Sequence, residues 1–388
     1  MKSKNITVYF TGKNLRQRRK ETIINPPLGV KFHTTQPIKT MPADYEKGHM
    51  TKALNKGILG RIIKLFRIPN IRYIPYSKTK KADIIYTPGQ LLLNRQPYVV
   101  EIDNVACLAY YNYYILHNPI SMTLIKYFLK SRYCKSIVCI SEAARQSVLN
   151  TFHDKKIKEK CIVVYPYVKL KNVERKKHEK IIFLCCNRKF YMKGMLPVLI
   201  AFHKLNAQYK KDIELWMISD TSEDLKKKYA AENITFFEAK FSKEELYEKF
   251  YSKADVFVQP TLQDSFGLVY FEAMANKMAI ISTDLFAIPE FVQHKKNGYL
   301  IPAPFYMFNK DFTPKKEFFP RIGSDLYPPA NEDPVLIDHV YKAMLELIQN
   351  KEKLVDMQNY SFSLLQKSPF CEETRLQRLK QVFEKALD

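Results

Sequence analysis

Apolar positions in the first half of the chain fall into short runs at 6–10, 30–33, 71–74, 83–87, 98–102, 137–140 and 161–165. The runs are rich in Ile, Val and Tyr and mostly apolar on both faces. That pattern fits strands buried on both sides in a parallel sheet. Segments with helical spacing lie between them, including 52–66, 121–133 and 142–152. Strand–helix alternation predicts a doubly wound α/β domain over residues 1–170. Residues 171–180, KNVERKKHEK, have no apolar face and read as a linker.

The pattern then restarts. Strands are predicted at 181–186, 214–219, 234–237, 256–259 and 279–282, and helices at 196–206, 222–229, 242–251, 267–276, 334–349 and 372–387. Ser242-Lys-Glu-Glu245 has the spacing of a capping box. A second α/β domain over 181–365 follows, with a terminal segment at 366–388. Ligands of such sheets sit beyond the carboxyl ends of the strands. The site is therefore expected in the cleft between the two domains. The stretch 302–334 shows no period, and a loop of about 30 residues is usually functional or poorly ordered.

Composition narrows the class. Apolar residues at 46% and charged residues at 26% exclude a disordered or collagen-like chain. No apolar run approaches the ~18 residues of a membrane-spanning helix. Ile6–Phe10 is too short for a signal segment and reads as a first strand. The seven cysteines form no CxxC and lie partly in apolar runs, as in a reduced cytosolic protein. The eight histidines form no cluster with cysteine, so no metal site is expected. Net charge is +24, from 63 Lys+Arg against 39 Asp+Glu, which draws polyanions: nucleic acid, anionic lipid or a phosphorylated ligand. Glycine is scarce, at 10 residues of 388, so each glycine of the second half marks a position worth inspecting.

The candidate chemistry lies in VQPTLQDSFGLVYFEAMANKMAIISTDLFAIPEFVQHKKNGYLIP, residues 258–302. A buried strand ends at Gln259, a short loop carries Asp264, and Ser265 is placed to cap a helix starting near Phe266–Gly267. Glycine there lets backbone N–H groups approach a ligand, and the helix N-terminus favours a phosphate. Asp264 on the loop and Glu272 in the helix could grip different ends of one polar ligand.

This run resembles the donor-binding motif of the retaining glycosyltransferases of family 4, which have the GT-B fold. Their acidic-x7-Glu pattern matches Asp264-Ser-Phe-Gly-Leu-Val-Tyr-Phe-Glu272-Ala-Met-Ala, followed by Ile288-Pro-Glu290 and Asn297-Gly298-Tyr-Leu. A second segment agrees. Strand 181–186, then Asn187-Arg188-Lys-Phe-Tyr-Met-Lys193-Gly194, resembles the family's strand–G-R-x(n)-K-G–helix, whose Arg and Lys hold the donor diphosphate. Two cations and helix amides suit a diphosphate leaving group as its charge grows. Weaker agreements lie at Ile137–Glu142, Lys160–Pro166 and the ending after Ser368-Pro-Phe.

The sequence also departs from the family. Asp264 stands where many members have Glu. Phe286-Ala287 replaces the usual Gly-Gly, and Lys277 stands where a glycine is expected. Asn104, in Glu101-Ile-Asp103-Asn104, lies at the strand end where many members place a His.

The resemblance implies a GT-B architecture: two Rossmann-like domains facing across a cleft, with a C-terminal helix crossing back to the first. It implies transfer of a hexose from a nucleotide-sugar to an acceptor hydroxyl with retention, and no cofactor or required metal. Arg188 and Lys193 should hold the diphosphate, Glu272 the ribose, and Asp264 the sugar, helped by the amides of Ser265, Phe266, Gly267 and Leu268. Asn187, Gly194 and Glu290 should complete the donor site, with Asp103 and Asn104 on the acceptor side.

The implied acceptor is a glycan or lipid-linked saccharide, in glycoconjugate or surface polysaccharide synthesis. The protein would be cytoplasmic and peripheral on the inner face of a membrane. Basic amphipathic segments at 53–67 and 121–133 are candidates for contact with an anionic leaflet. Two alternatives stay open: a catalytically inactive GT-B binding protein, and a basic nucleic-acid-binding protein. No nucleic-acid motif supports the latter.

Overall fold

The computed structural model describes residues 5–12, 17–34, 67–170, 178–317 and 327–388. The helix expected at 52–66, all but Arg67 of the membrane candidate at 53–67, and most of the linker expected at 171–180 lie outside these residues.

The first half builds a six-stranded sheet from β1 (Ile6–Phe10), β2 (Val30–Thr34), β4 (Ile84–Pro88), β6 (Tyr98–Ile102), β7 (Cys134–Cys139) and β8 (Cys161–Val163). Their order is β2-β1-β4-β6-β7-β8, and every pairing is parallel. The central strands β4 and β6 are buried almost throughout, as their unbroken apolar runs require. The run at 71–74 does not join this sheet. Only Ile71–Arg72 (β3) is extended, paired with Leu91–Leu92 (β5) in a separate ribbon. A two-residue strand carries no period, so the pairing had no signature.

The second half builds β9 (Ile181–Cys186), β10 (Ile213–Ile218), β11 (Ile234–Phe237), β12 (Val256–Gln259), β13 (Ala279–Thr283) and β14 (Gly298–Ile301). They form one parallel sheet in the order β11-β10-β9-β12-β13-β14. In both sheets the chain reverses direction across the sheet near its first strand. Crevices open there beyond the carboxyl ends, at β1/β4 and at β9/β12.

Helices begin where side chains satisfy their free amides. Ser141 accepts from the Ala144 N–H at the start of Glu142–Phe152. Asn118 accepts from Ser121 at the start of Pro119–Lys130, two residues before the predicted start at 121. The Ser242/Glu245 capping box is complete. A further helix, Lys351–Leu365, lies between the two expected near the end.

The last helix, Glu372–Leu387, packs Leu379, Val382, Phe383 and Ala386 on the first sheet, against Val8 and Tyr86. Its Arg375, only 2% exposed, donates to the carbonyls of Val164 and Tyr165 and to Thr22 Oγ1. The second half's Phe271, Ala287, Ile288 and Phe291 share one apolar cluster with Ile140 and Ala143 of the first half. The two sheets are thereby joined, with their carboxyl edges facing a common cleft.

Candidate active site

Lys193, Gly194 and Asp264, expected on the donor side, meet at the β9/β12 crevice. Lys193 closes a short turn after β9, and Gly194 follows in the left-handed region at φ 67°. A side chain at Gly194 would place its Cβ 2.0 Å from the Pro260 carbonyl oxygen, so only glycine fits. The contact draws the turn onto the loop after β12. Lys193 Nζ donates to Asp264 Oδ2 at 2.8 Å and to the Gln263 carbonyl at 2.9 Å. Both side chains of the pair are largely buried.

Asp264 makes the remaining contacts of this loop. Its Oδ1 accepts from the Ser265 N–H at 2.9 Å and the Phe266 N–H at 3.2 Å. Burial acts to raise its carboxyl, but the Lys193 ammonium and the two amides hold it below the usual range. The predicted cap is therefore exchanged. Asp264 binds these amides, Gly267 sits left-handed at φ 77° just before helix Leu268–Ala275, and Ser265 caps nothing. Instead Ser265 Oγ donates across the cleft to Asp103 Oδ2 at 3.4 Å. Of the four amides expected to face the donor, Asp264 takes those of Ser265 and Phe266. Those of Gly267 and Leu268 have no acceptor among the described residues.

Glu272 lies one turn into the same helix. Burial raises its carboxyl, countered by Lys243, whose Nζ is 3.4 Å from Oε1. Lys243 also lies 4.0 Å from Glu21 on the first-half helix Gln17–Ile24. Sequence reasoning missed Lys243, because nothing local in the capping-box segment announces a partner so distant in the chain. Arg188 follows β9, and its Nε donates to the Ala239 carbonyl beyond β11 at 3.0 Å. Asn187 Oδ1 accepts from the Lys189 N–H at 3.1 Å, shaping the turn.

Glu290 faces the first half. Its Oε1 accepts from the Ala143 N–H at 2.7 Å, and its Oε2 from the Glu142 N–H at 2.9 Å and from Tyr165 Oη at 2.6 Å. Its contacts cap helix Glu142–Phe152 from the opposite domain. Asp103 and Asn104 divide in the same way. Asp103 is buried and accepts from Tyr111 Oη at 2.7 and 2.9 Å, while Asn104 Oδ1 accepts from Ala106 N–H at 3.0 Å and caps the turn Val105–Ala109. Asp103 thus faces the donor loop, and Asn104 is bound into its own backbone.

Of the three positions where glycine was expected, Lys277 at φ 54° and Phe286 at φ 47° keep a left-handed backbone, whereas Ala287 is right-handed at φ −86°. The Phe286 ring packs tilted against Phe308 at 4.5 Å and meets Phe312 edge-on at 5.7 Å. Phe308 belongs to the aperiodic stretch. Nearby Met307 is buried in the first half's apolar cluster, and Asn150 Nδ2 donates to the Asp311 carbonyl at 2.7 Å. The stretch therefore bridges the domains.

Comparison with known proteins bears on the fold. The chain has the GT-B fold. It is similar over 99% of its length to 99% of a glycosyltransferase from Rickettsia africae ESF-5, at 12% identity and a TM-score of 0.62. It is similar over 98% of its length to 99% of Anabaena Alr3699/HepE in complex with UDP-glucose, at 13% identity and a TM-score of 0.60. A mutant of S. aureus TarM in complex with fondaparinux, alpha-GlcNAc-glycerol and UDP matches 77% of this chain at 13% identity and a TM-score of 0.53, and the chain spans 55% of that protein. No curated protein matches. Residues 168–307 match the family described as glycosyl transferases group 1. The matched segment includes Arg188, Lys193, Asp264, Glu272 and Glu290.

Proposed function

We propose that the protein transfers a hexose from a nucleotide-sugar to an acceptor hydroxyl with retention at the anomeric carbon. The observation that carries this reading is the Lys193–Asp264 pair held at a glycine-opened helix start, with Glu272 on the helix behind it. A diphosphate entering the crevice meets Lys193 and the open amides of Gly267 and Leu268. Asp264 keeps the amides of Ser265 and Phe266, so its carboxylate stays fixed beside the sugar. Arg188 and Lys193 supply the positive charge, and no metal is assigned a role. Glu272 takes the ribose hydroxyls in place of Lys243. The bond from the anomeric carbon to the phosphate oxygen breaks, and the acceptor oxygen bonds on the same face. The acceptor proton passes to the leaving phosphate. Charge growing on that phosphate is what preorganised cations and amides stabilise.

The acceptor is assigned as a glycan or lipid-linked saccharide, met at an anionic membrane surface on its cytoplasmic side. Helix Pro119–Lys130 supports this. Ser121, Ile125 and Leu129 are buried on one stripe, while Ile120 (72% exposed), Leu124 and Tyr127 (69% exposed) form a second, open stripe. Among the described residues no helix is long and apolar enough to cross a membrane.

A screen of UDP-, GDP-, ADP- and dTDP-sugars by thermal shift, followed by a transfer assay, tests the function. A bound donor raises the melting temperature by mass action. No shift and no turnover with any donor would refute it. Flotation with liposomes tests the surface. Binding should require anionic lipid and fade with salt, and recovery on neutral vesicles alone would reject it.

A further inference from the structure

The β1/β4 crevice of the first sheet holds polar groups that the donor chemistry leaves unused. Gln90 Oε1 receives three contacts: from Thr11 Oγ1 at 3.4 Å, Thr87 Oγ1 at 3.4 Å and Arg72 Nη1 at 3.5 Å. All three are long for hydrogen bonds, so none holds its donor firmly. Arg72 is the notable member. Its guanidinium is half-buried, carries five donors and forms no ion pair among the described residues. A cation withdrawn from water with one weak neutral acceptor lacks the anion that would compensate its desolvation.

Another cation of the first half, Arg19, is already used. Arg19 Nε donates to Glu101 Oε1 at 3.0 Å, and Tyr86 Oη donates to Glu101 Oε2 at 2.7 Å.

The backbone beside Arg72 is strained. Tyr110 and Tyr111 are consecutive and both left-handed, at φ 53° and 58°. Bulky residues avoid that region, at a cost of about 1–2 kcal/mol each. The strained turn places two phenols. Tyr111 Oη donates to Asp103, and the Tyr110 phenol lies close enough to Arg72 to feel its charge. Asn70 Nδ2 donates to the Gly89 carbonyl at 2.7 Å and the Cys107 carbonyl at 3.3 Å, pinning the Arg72 ribbon to the same turn. One turn thus contacts both Asp103 and the ribbon that carries Arg72, and Asp103 touches the donor loop through Ser265.

We infer that Arg72 is the anion-binding residue of the acceptor site, and that the acceptor is a saccharide bearing a phosphate or a carboxylate. Its charged group exchanges the long Gln90 contact for charge-assisted bonds to Arg72, while its reacting hydroxyl lies toward Asp103 and Ser265. The inference rests on the glycosyl-transfer reading for what the bound saccharide does there.

The test is calorimetric titration of the full chain with glucose 6-phosphate, glucuronate and methyl glucoside, with UDP saturating the donor site. The wild type should bind one or both charged sugars about tenfold or more tighter than the neutral one, the scale of one charge-assisted contact. Comparing the two charged sugars tells phosphate from carboxylate. Arg72→Met should abolish the preference and still bind UDP, and Arg72→Lys should keep part of it. No charge preference in the wild type, no binding of either charged sugar, or an unchanged preference in Arg72→Met would overturn the inference. Should UDP fail to bind the wild type, the functional reading falls. The charged-sugar comparison between wild type and Arg72→Met, run without UDP, still decides the anion site.

Discussion

The two sheets share one kind of topology and hold their charges differently. At the carboxyl edge of the second sheet the acids are matched by lysines: Asp264 by Lys193 at 2.8 Å, Glu272 by Lys243 at 3.4 Å. At the edge of the first sheet Asp103 is held by the hydroxyls of Tyr111 and Ser265, and Arg72 by the amide of Gln90. Matched pairs keep a site organised before its ligand arrives, and the ligand must exchange one partner on entry. Asp103, without an ion pair among the described residues, and Arg72, whose one side-chain hydrogen bond is long, leave their charges to be met by whatever binds. Under the proposed function, the first arrangement suits a donor whose diphosphate and ribose recur. Under the same reading, the second leaves the first sheet to define the acceptor.

The sharpest way to break this contrast is to remove one member of a matched pair. Lys193→Ala leaves Asp264 charged and nearly buried, which should cost about 3–5 kcal/mol of stability. It should also lower kcat/KM about 10²–10³-fold, as loss of one electrostatic donor does. Adding Asp264→Asn should restore most of the urea midpoint and none of the turnover. Recovery of turnover in the double variant would reduce Lys193 to a counter-ion. Asp264 titrates below its ordinary value, so its contribution is present above the unfolded carboxyl pKa. That contribution is lost as pH falls through the depressed one.

A smaller effect separates the two acids. Glu272→Gln should weaken nucleoside diphosphate binding about tenfold, the scale of a hydrogen bond to a charged group. Asp264→Asn should leave that binding near wild type and lower kcat. The wild type's advantage over Glu272→Gln should fade as pH falls through the raised value of Glu272, because protonation makes the two side chains alike. Calorimetry across pH measures this, and a reversed pattern would exchange the two roles.

The seam between the sheets offers a third test. Tyr165→Phe removes one of three donors on Glu290 and should cost about 0.5–1.5 kcal/mol. Burial already raises the Glu290 carboxyl, and the Tyr165 hydroxyl lowers it. Without that hydroxyl the folded-state value rises further. A carboxyl raised on folding binds its proton more tightly in the native state. Stability therefore falls as pH climbs from the unfolded value through the folded one, and is level above it. In Tyr165→Phe that decline should extend to higher pH, read as the urea midpoint against pH.

The second edge was legible because backbone geometry there demands particular residues. Gly194 must lack a Cβ to sit against Pro260, and Gly267 must be left-handed beside Tyr270, so scarce glycines marked both turns. Unbroken apolar runs gave the parallel strands for a similar reason: a strand buried on both faces admits little else. The first edge was less legible. Asn104 suits a ligand site and a turn cap equally well, and in the fold it caps. Arg72 lies on a two-residue strand, and its surroundings come from Gln90, Tyr110 and Thr11, which only tertiary structure collects. Lys243 reaches Glu272 from another helix, beyond any local pattern. The departures at Lys277 and Phe286 looked like lost glycines, yet the fold holds both in glycine's conformation.

That last point yields the smallest effect. At φ 54° Lys277 bears a left-handed strain of about 1–2 kcal/mol that glycine would not. Against this, glycine loses more backbone entropy on folding, about 0.5–1 kcal/mol. The variant would also lose the Lys277 ammonium over the Phe362 ring at 5.3 Å, a partly buried cation–π contact of about 1 kcal/mol. These terms nearly cancel. Lys277→Gly should therefore change stability by less than about 1 kcal/mol and leave donor binding untouched, whereas Lys277→Met keeps the strain and loses the cation, so it should be the less stable of the two. Paired urea melts compare them. A Gly variant clearly less stable than Met would show that the side chain, rather than the backbone turn, is what this position contributes to the second edge.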